Sequence, residues 1–428
     1  MFVREFGERI LRALAWYNVM RILLADSFPE PQLEKLIRRG HDVHYEPELG
    51  AGDLPHAIAD ADVLVVRSTD VTTETIETSR QLGLIVRAGA GTNTIDSKAA
   101  SERAIYVSNV PGKNSVAVAE LTMGLILAID RQIPDNVFEL RSDRWRKARF
   151  SKGRGLKGRR LGIIGMGAVG TEVGVRARSF GMKILAIDQP DRSEEVSDLL
   201  VDLGVELYQD QKSMLAACDI VTIHVPAGPE TTGMVDRDFL DHLPDGAYLI
   251  NTSRSDVVVE SDLLQALDRK GIWAATDVYP DEPNTGEASF TSQLAKHPHV
   301  YGTHHIGAST EQAQEAIAKQ VVKIIDEYGD GGVKNVVNLS EPMDDTTVVG
   351  IRHVDKVGVL SRVFAVLRSA DINVQHMENH VFDGARAAKA VLHLHGSFDA
   401  DVRQDLEDLD GVFHVGVLRT GNQRLNQA

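Results

Sequence analysis

The chain has 428 residues, which is more than one hydrophobic core normally supports. This length predicts two or three domains. Its net charge of -16 disfavours nucleic acid and anionic membranes as partners, because both require clustered Lys and Arg side chains. The only cysteine, Cys218, excludes an intramolecular disulfide and a thiolate metal cluster, so we expect a buried packing role for it and no metal site.

The amino-terminal segment and the longest apolar run do not indicate a targeting sequence or a membrane span. Residues 1–19 lack the apolar stretch and cleavage site of a secretory signal, so we expect a short amphipathic helix outside the fold. The run from Val116 contains Glu120 and is too short to cross a bilayer, which predicts a buried helix. We therefore expect a cytoplasmic protein.

From Arg21 to about residue 89, apolar strands alternate with helices. This alternation implies parallel strands with right-handed crossovers, and such sheets bind ligands at the carboxyl ends of their strands. The candidate binding residues at these ends are Arg67, Ser68, Gly89 and Gly91. A surface charge explains Arg67 equally well, and the two glycines could simply turn the chain.

The most informative motif is LGIIGMGAVG at residues 161–170, where an apolar strand runs into Gly165, Gly167 and Gly170. Their G-x-G-x-x-G spacing permits a tight turn, a close approach of a pyrophosphate and close packing of the next helix. The N–H groups at the start of that helix then face the phosphates.

An acidic residue after the next strand strengthens this interpretation. Asp188 ends the strand KILAID about 20 residues further on, where a carboxylate hydrogen-bonds the ribose hydroxyls of a dinucleotide. The same carboxylate repels a ribose phosphate, so the sequence favours NAD over NADP. Arg192 is the only nearby feature that favours NADP.

The rest of the chain predicts two further structural units. A second alternating series of strands and helices runs to about Tyr301, which gives two doubly wound units with a cleft between them. A long helix follows Ser309, with Gln312 completing a capping box, and GDGGVKN from Gly329 ends it. After Thr346 the order strand, helix, strand, strand, helix, strand predicts a small ferredoxin-like α+β domain.

Three motifs after the glycine turn each follow a predicted strand: INTSR ending at Arg254, TDVYPDEP with Asp277 and Glu282, and THHIGAST with His305. Together they resemble the D-2-hydroxyacid dehydrogenase family, and the resemblance covers residues 20–420. It implies NAD-dependent oxidation of a 2-hydroxy acid, with Arg254, Glu282 and His305 as the catalytic residues.

The chemistry explains this choice of residue types. Oxidation removes a hydride to the nicotinamide and a proton to a base with a pKa near neutrality, for which histidine is suited. A carboxylate orients the imidazole and raises its pKa, while an arginine grips the substrate carboxylate. His304 offers the same chemistry as His305, and only the resemblance selects His305.

Two positions depart from the family pattern. His304 replaces a proline, and Ser255 and Asp256 stand where glycine is common. We expect Asp256 to point away from the site.

The resemblance also assigns the domains and the contact residues. The implied domains are 20–108 for the substrate, completed by 308–337, then 109–307 for NAD and 344–421 for an ACT regulatory domain. The implied cofactor contacts are Gly165, Gly167, Ala168, Val169, Gly170, Asp188, Thr252, Ser253, Arg254, Asp277, His305 and Gly307. The implied substrate contacts are Arg67, Ser68, Gly89, Asn109 and Arg254.

The order of these domains resembles the branch of the family that oxidises 3-phosphoglycerate at the start of serine synthesis. ACT domains pair edge to edge, which implies a homo-oligomer, and they can bind serine at positions that match His353, Asp355 and Asn373. Asp355 stands where an asparagine is usual. A glyoxylate or hydroxypyruvate reductase on the same scaffold is the enzyme alternative. An NAD-sensing scaffold is the alternative from another class, which the intact Arg, Glu and His set disfavours.

Overall fold

The computed structural model describes residues 19–189, 192, 194–283, 287–340 and 346–419. They form two compact units, one ending at Asn338 and the other starting at Leu339. The helix predicted within residues 1–19 and both ends of the predicted 344–421 domain lie outside the described residues. The finer division of the larger unit at residues 108 and 307 stays a prediction.

The larger unit begins with a five-stranded parallel sheet. Its strands are β1 (Arg21–Leu24), β2 (Asp42–Tyr45), β3 (Val63–Val66), β4 (Leu84–Arg87) and β5 (Tyr106–Ser108). The helices between them are α1 (Glu30–Arg38), α2 (Leu54–Ala57), α3 (Thr73–Thr78) and α4 (Ser97–Glu102). The order β2-β1-β3-β4-β5 is flavodoxin-like, and it confirms the parallel, doubly wound sheet that the alternation predicted.

A seven-stranded parallel sheet follows. Its strands are β6 (Arg160–Ile164), β7 (Lys183–Ile187), β8 (Glu206–Tyr208), β9 (Ile220–Ile223), β10 (Tyr248–Asn251), β11 (Trp273–Thr276) and β12 (Val300–Gly302). The strand order is β12-β11-β10-β9-β6-β7-β8. From β6 the chain first adds strands on one side, β7 and β8, and then on the other side, from β9 to β12. This is the Rossmann order, and its crevice lies at the carboxyl end of β6.

Ten further helices of the described residues connect the strands of the seven-stranded sheet or pack beside the two sheets. They are α5 (Ser115–Arg131), α6 (Ile133–Arg141), α7 (Lys147–Phe150), α8 (Ala168–Ser179), α9 (Glu194–Leu203), α10 (Gln211–Ala217), α11 (Arg237–His242), α12 (Glu260–Lys270), α13 (Gln293–Lys296) and α14 (Glu311–Gly329).

Two long helices bury apolar faces against different sheets. Helix α5 packs Met123 and Ile126 into the core of the seven-stranded sheet, as its apolar sequence predicted, and exposes Glu120. Helix α14 packs Val321 and Ile325 into the core of the first sheet. The chain therefore returns to the first sheet after completing the second. Among the described residues, no helix has the length and apolar character needed to cross a membrane.

The start of α14 differs from the prediction by one residue. Thr310, not Ser309, is the N-cap, because its hydroxyl accepts a hydrogen bond from the N–H of Ala313. The Ser309 hydroxyl accepts a hydrogen bond from Arg67 instead, at 3.3 Å. The N-cap rule locates the start of the helix to within one residue, because Ser309 and Thr310 both carry the hydroxyl group that it requires.

The smaller unit is a four-stranded antiparallel sheet with two helices. Its elements in chain order are β13 (Thr347–Val354), α15 (Val359–Ser369), β14 (Asn373–Val381), β15 (Ala387–His395), α16 (Ala400–Glu407) and β16 (Val412–Arg419). The strand order β14-β15-β13-β16 and this element order confirm the ferredoxin-like prediction. Alternate residues of the central strands, such as Ile351 and Leu392, pack against Val363 and Leu367 of α15.

The larger unit closes at Asn338. Its side-chain oxygen accepts a hydrogen bond from the N–H of buried Val107 at 2.8 Å, and its amide donates to the carbonyl oxygen of Ile105 at 2.9 Å. These bonds cap the outer edge of β5, the last strand of the first sheet.

We predict that a chain ending at Asn338 folds, and that Asn338→Ala within it lowers the free energy of unfolding by about 1 to 3 kcal/mol, because the N–H of Val107 loses its partner. Urea denaturation followed by circular dichroism measures this change. Gln81→Ala, at an exposed position of the same unit, is the control. Equal losses in the two variants would contradict the prediction.

Candidate active site

The carboxyl ends of strands from both sheets of the larger unit border one cavity. It is lined from the first sheet by Arg67, Ser68, Arg87 and Gly89, and from the second sheet side by Arg254, Glu282 and His305. Residues that lie far apart in the sequence therefore meet, as the rule for parallel sheets predicts. The cavity brings together the three predicted catalytic residues and most of the predicted substrate residues.

His305 and Glu282 form a close hydrogen-bonded pair. Nδ1 of His305 lies 2.6 Å from Oε2 of Glu282, and the other carboxylate oxygen accepts the N–H of Tyr279 at 2.6 Å. The hydrogen bond to Glu282 raises the pKa of His305 above its ordinary value, although partial burial opposes the shift. Burial acts to raise the pKa of Glu282, but the hydrogen bonds from His305 and Tyr279 outweigh it and lower that pKa. The carboxylate thus stays charged and stabilises the protonated imidazole.

The loop that carries His305 is held by Asp277. This carboxylate is 1% exposed, and it accepts hydrogen bonds from the hydroxyl of Thr303 at 2.6 Å and from the N–H groups of Ile306 at 2.9 Å and Gly307 at 2.8 Å. A Cβ at Gly307 would lie 3.0 Å from Asp277 Oδ2. The structure therefore places Asp277, predicted as a cofactor contact, where it fixes the loop.

The two adjacent histidines lie in different surroundings. His305 lines the cavity described above, together with Arg254 and Ser309. His304 is not among the residues that line this cavity, and it borders only a neighbouring hollow beside Phe290, which His305 borders as well. Geometry thus distinguishes two side chains that chemistry alone could not.

The loop around Arg254 is folded by a residue that the sequence analysis did not single out. Asn251 ends β10, and its side-chain amide donates to the carbonyl oxygen of Arg254 at 2.9 Å. Its side-chain oxygen accepts the N–H of Ser253 at 3.0 Å and the Ser253 hydroxyl at 2.8 Å. The hydroxyl of Thr252 pairs with that of Thr122 on α5 at 2.9 Å. An asparagine as the last residue of a buried strand was the available signal for this turn.

Asp256 does not lie away from the site as expected. It lines the cavity of Arg254 and His305 and also the adjoining cavity on the Rossmann side. Its backbone belongs to a short 3-10 turn, Ser255–Val257, that directly follows Arg254. Its side chain is exposed at the rim.

The glycine turn has the shape that a pyrophosphate requires. Gly165 has a φ of 93°, and a Cβ there would lie 2.6 Å from the carbonyl oxygen of His224. A Cβ at Gly170 would collide with the carbonyl oxygen of Gly165, whereas the space beside Gly167 is open. Helix α8 begins directly after Gly167 without a side-chain cap, so its first N–H groups are free to bind an anion.

The other predicted cofactor residues surround the same crevice. Ala168, Val169, Thr252, Ser253 and Arg254 line one cavity there. Asp188 directly follows β7, the neighbour of β6, and its carboxylate accepts a hydrogen bond from Gln209 at 3.1 Å. These positions fit NAD. Within the described residues, no group of three or more His, Cys, Asp and Glu side chains could hold a metal ion.

Arg192, the residue that favoured NADP, is tied back to the strand. Its guanidinium donates to the carbonyl oxygen of Ile187, the last residue of β7. That contact reduces its capacity to bind a ribose phosphate.

Two predicted substrate residues, Asn109 and Gly89, shape the loop that follows β4. The amide of Asn109 donates to the carbonyl oxygen of Ala90 at 2.6 Å, so it supports the loop. Gly89 lines the cavity, and a Cβ at this position would collide with the guanidinium of Arg87. Arg87 was not among the predicted site residues, although it is the last residue of an apolar strand, where ligand contacts are expected.

Within one chain, the three predicted effector residues do not meet. His353 is 2% exposed, with Nε2 lying 3.1 Å from Oδ1 of Asn379. It pairs with Ala388 at one end of β15, whereas Asn373 pairs with His395 at the other end. Seven residues of strand separate these ends by about 23 Å. Asp355 follows β13 at the His353 end.

Comparison with known proteins identifies relatives over most of the larger unit. Residues 123–307 match the family model described as "D-isomer specific 2-hydroxyacid dehydrogenase, NAD binding domain". The hydroxypyruvate reductase of Thermotoga maritima is 39% identical over 280 residues, which are 65% of this chain and 88% of the relative.

Similar proteins also include phosphoglycerate dehydrogenases. The D-3-phosphoglycerate dehydrogenase of Methanocaldococcus jannaschii is 38% identical over 313 residues, which are 72% of this chain and 58% of the relative. The human D-3-phosphoglycerate dehydrogenase is 34% identical over 359 residues, 82% of this chain and 65% of the relative. The matches thus span about 58% to 65% of the length of these relatives.

A solved structure agrees with these matches. The NAD+-bound 3-phosphoglycerate dehydrogenase of Entamoeba histolytica superposes with a TM-score of 0.62 at 28% identity, covering 74% of this chain and 99% of the other. The family's NAD binding domain, the Rossmann order of the second sheet and the paired His305 and Glu282 beside Arg254 all agree with one assignment. The chain belongs to the D-isomer specific 2-hydroxyacid dehydrogenase family.

Proposed function

We propose that this protein oxidises 3-phosphoglycerate to 3-phosphohydroxypyruvate with NAD, the first step of serine biosynthesis. The observation that carries the proposal is the His305–Glu282 pair, which faces a cavity shared with Arg254 and the cationic residues of the first sheet. Several relatives that carry the name D-3-phosphoglycerate dehydrogenase support the choice of substrate.

Each catalytic residue has a separate task in this reaction. Arg254 binds the substrate carboxylate and orients the C2 hydroxyl toward His305. His305 accepts the hydroxyl proton, and Glu282 stabilises the resulting imidazolium through Nδ1. Bound NAD would supply the acceptor for the hydride of C2. The residues of the glycine turn would hold its pyrophosphate, and Asp188 would bind its ribose.

The two sheets of the larger unit have different roles in this reaction. Residues 20–108 with 308–337 bind the part of the substrate remote from the reacting carbon, and residues 109–307 hold the cofactor and the catalytic residues. Arg67 lines the cavity, and its guanidinium contacts Ser309 at 3.3 Å. A guanidinium at this place suits a phosphate.

Hydroxypyruvate reductase is the second candidate, because the Thermotoga maritima enzyme of that name is 39% identical and is matched over 88% of its length. It uses the same catalytic residues and differs in having no phosphate to bind. Steady-state rates with NAD and 3-phosphoglycerate, compared with those for NADH and hydroxypyruvate, distinguish the two. A kcat/KM that is higher for hydroxypyruvate would contradict the proposal.

We further propose that the smaller unit is an ACT domain that joins two copies of the chain in a cytoplasmic homo-oligomer. Its edge strand β14 is exposed along its length, and such an edge can pair with a second copy. Because His353 and Asn373 lie at opposite ends of β15, a serine site that uses both must combine residues from two copies.

We predict that His305→Ala lowers kcat for 3-phosphoglycerate by roughly a hundredfold to ten-thousandfold, the usual loss on removing a general base. NAD affinity, measured by fluorescence titration, should change little. His304→Ala is the matched control and should retain most of the activity, since that side chain lies outside the cavity. The opposite ranking would place the base on His304.

We predict that Glu282→Gln shifts the acidic limb of the kcat/KM profile for oxidation to lower pH. His305 must be neutral to accept a proton, and Glu282 raises its pKa. The uncharged amide removes that effect, so the neutral imidazole persists to lower pH, although the maximal rate falls because the imidazolium is less stabilised. An unchanged limb would show that another group titrates.

We predict that millimolar serine inhibits the full-length chain but not a chain ending at Asn338, and that removal of the smaller unit lowers the oligomer size. Analytical ultracentrifugation and initial rates measure the two effects. Inhibition of the shortened chain would place the serine site in the larger unit.

A further inference from the structure

The cavity beside His305 and the cavity on the Rossmann side meet at a junction that four of the described residues border. The residues that line both cavities are Asn93, Asn114, Arg254 and Asp256. The Rossmann-side cavity begins at the glycine turn, through Ala168 and Val169. A nicotinamide must reach from that turn to the carbon served by His305, because the hydride passes directly between the two. The ring would therefore lie next to these four residues.

The junction has one positive and one negative side chain. Arg254 and Asp256 are charged, whereas Asn93 and Asn114 carry neutral amides. Among the described residues that line the Rossmann-side cavity, no further side chain is charged, because desolvation lowers the pKa of His224 to about 3. Within this part of the chain, Asp256 is thus the one carboxylate at the junction.

The backbone holds Asp256 in place, while its carboxylate has no counter-charge. The N–H of Gly233 donates to the carbonyl oxygen of Asp256 at 2.8 Å, and the N–H of Val235 donates to that of the buried Val257 at 2.9 Å. Among the described residues, the exposed carboxylate contacts the Ser255 hydroxyl at 3.5 Å and forms no ion pair. Its charge therefore acts on the group that occupies the junction.

The two redox states of the cofactor differ in charge at this place. The oxidised nicotinamide ring carries a positive charge, and the reduced ring is neutral. The guanidinium of Arg254 repels the oxidised ring, and the carboxylate of Asp256, two residues further along the chain, offsets that repulsion. The neutral ring gains nothing comparable.

We propose that Asp256 determines the redox specificity of cofactor binding, shifting the preference of the site toward NAD and away from NADH. The weaker retention of NADH limits inhibition by this product. The inference rests on NAD binding at the glycine turn and goes beyond the proposed function, because it holds for any 2-hydroxy acid that the site oxidises. Glycine, which is common here in the family, could not supply this charge.

The test measures the dissociation constants of NAD and NADH by fluorescence titration of the full chain without substrate. The ratio of the Kd for NADH to the Kd for NAD isolates the effect on the ring, because both forms carry the same pyrophosphate. Asp256→Asn should lower this ratio by roughly twofold to tenfold, as expected for the loss of one nearby, solvent-exposed charge. A ratio equal to that of the wild type would overturn the proposal.

Two matched variants separate this charge from other effects. Asp256→Glu keeps the charge and should keep the ratio near that of the wild type, and a ratio as low as that of Asp256→Asn would overturn the proposal. Asp245→Asn changes the net charge by the same amount, at an exposed position that precedes β10 on the opposite edge of the sheet. It should leave the ratio unchanged. An equal fall in Asp245→Asn would also overturn the proposal.

Salt gives a second readout that a merely structural role would not move. The difference in ratio between the wild type and Asp256→Asn should shrink as sodium chloride is added, because salt screens exposed charges. A difference that salt leaves unchanged would indicate a steric cause and overturn the proposal. None of these measurements requires turnover. A chain that binds NAD but does not oxidise 3-phosphoglycerate would contradict the proposed function and leave this inference to be decided by the ratio.

Discussion

Asp277 fixes the loop on which the rest of the active site depends. A buried carboxylate is unfavourable unless it is fully hydrogen-bonded, and Asp277 accepts three bonds from the segment that surrounds His305. His305 itself has a φ of 52°, a conformation that costs a residue other than glycine about 1 to 3 kcal/mol. The bonds to Asp277 offset this cost. The imidazole is thereby aimed at the cavity before a substrate arrives, and Glu282 needs only to meet its Nδ1 atom.

The sequence predicted the features that depend on local spacing. Alternating strands and helices were sufficient for both parallel sheets, and the spacing of Gly165, Gly167 and Gly170 located the crevice. Strand ends then marked Arg67 and Arg254 as cavity residues. These predictions succeeded because the carboxyl ends of parallel strands must share one edge of a sheet, whatever the side chains between them.

Other features depend on contacts between distant residues, and the sequence could not supply them. Arg87 looked like the end of a strand, and only the cavity shows that its guanidinium lies with two others. The sequence allowed Gly89 to be a simple turn residue. The structure shows instead that a Cβ at this position would collide with the guanidinium of Arg87. Asp256 was expected to point away, but a short 3-10 turn brings it to the rim. The strand register alone separates His353 from Asn373.

The charge distribution connects the fold to the chemistry. An acidic chain with a net charge of -16 gathers three arginines at one cavity, next to a histidine whose carboxylate is already engaged. The most direct test is a crystal structure of the protein with NAD and 3-phosphoglycerate. We expect the C2 hydroxyl within hydrogen-bond distance of Nε2 of His305, and the substrate carboxylate on Arg254. A substrate bound with its hydroxyl directed away from His305 would contradict it.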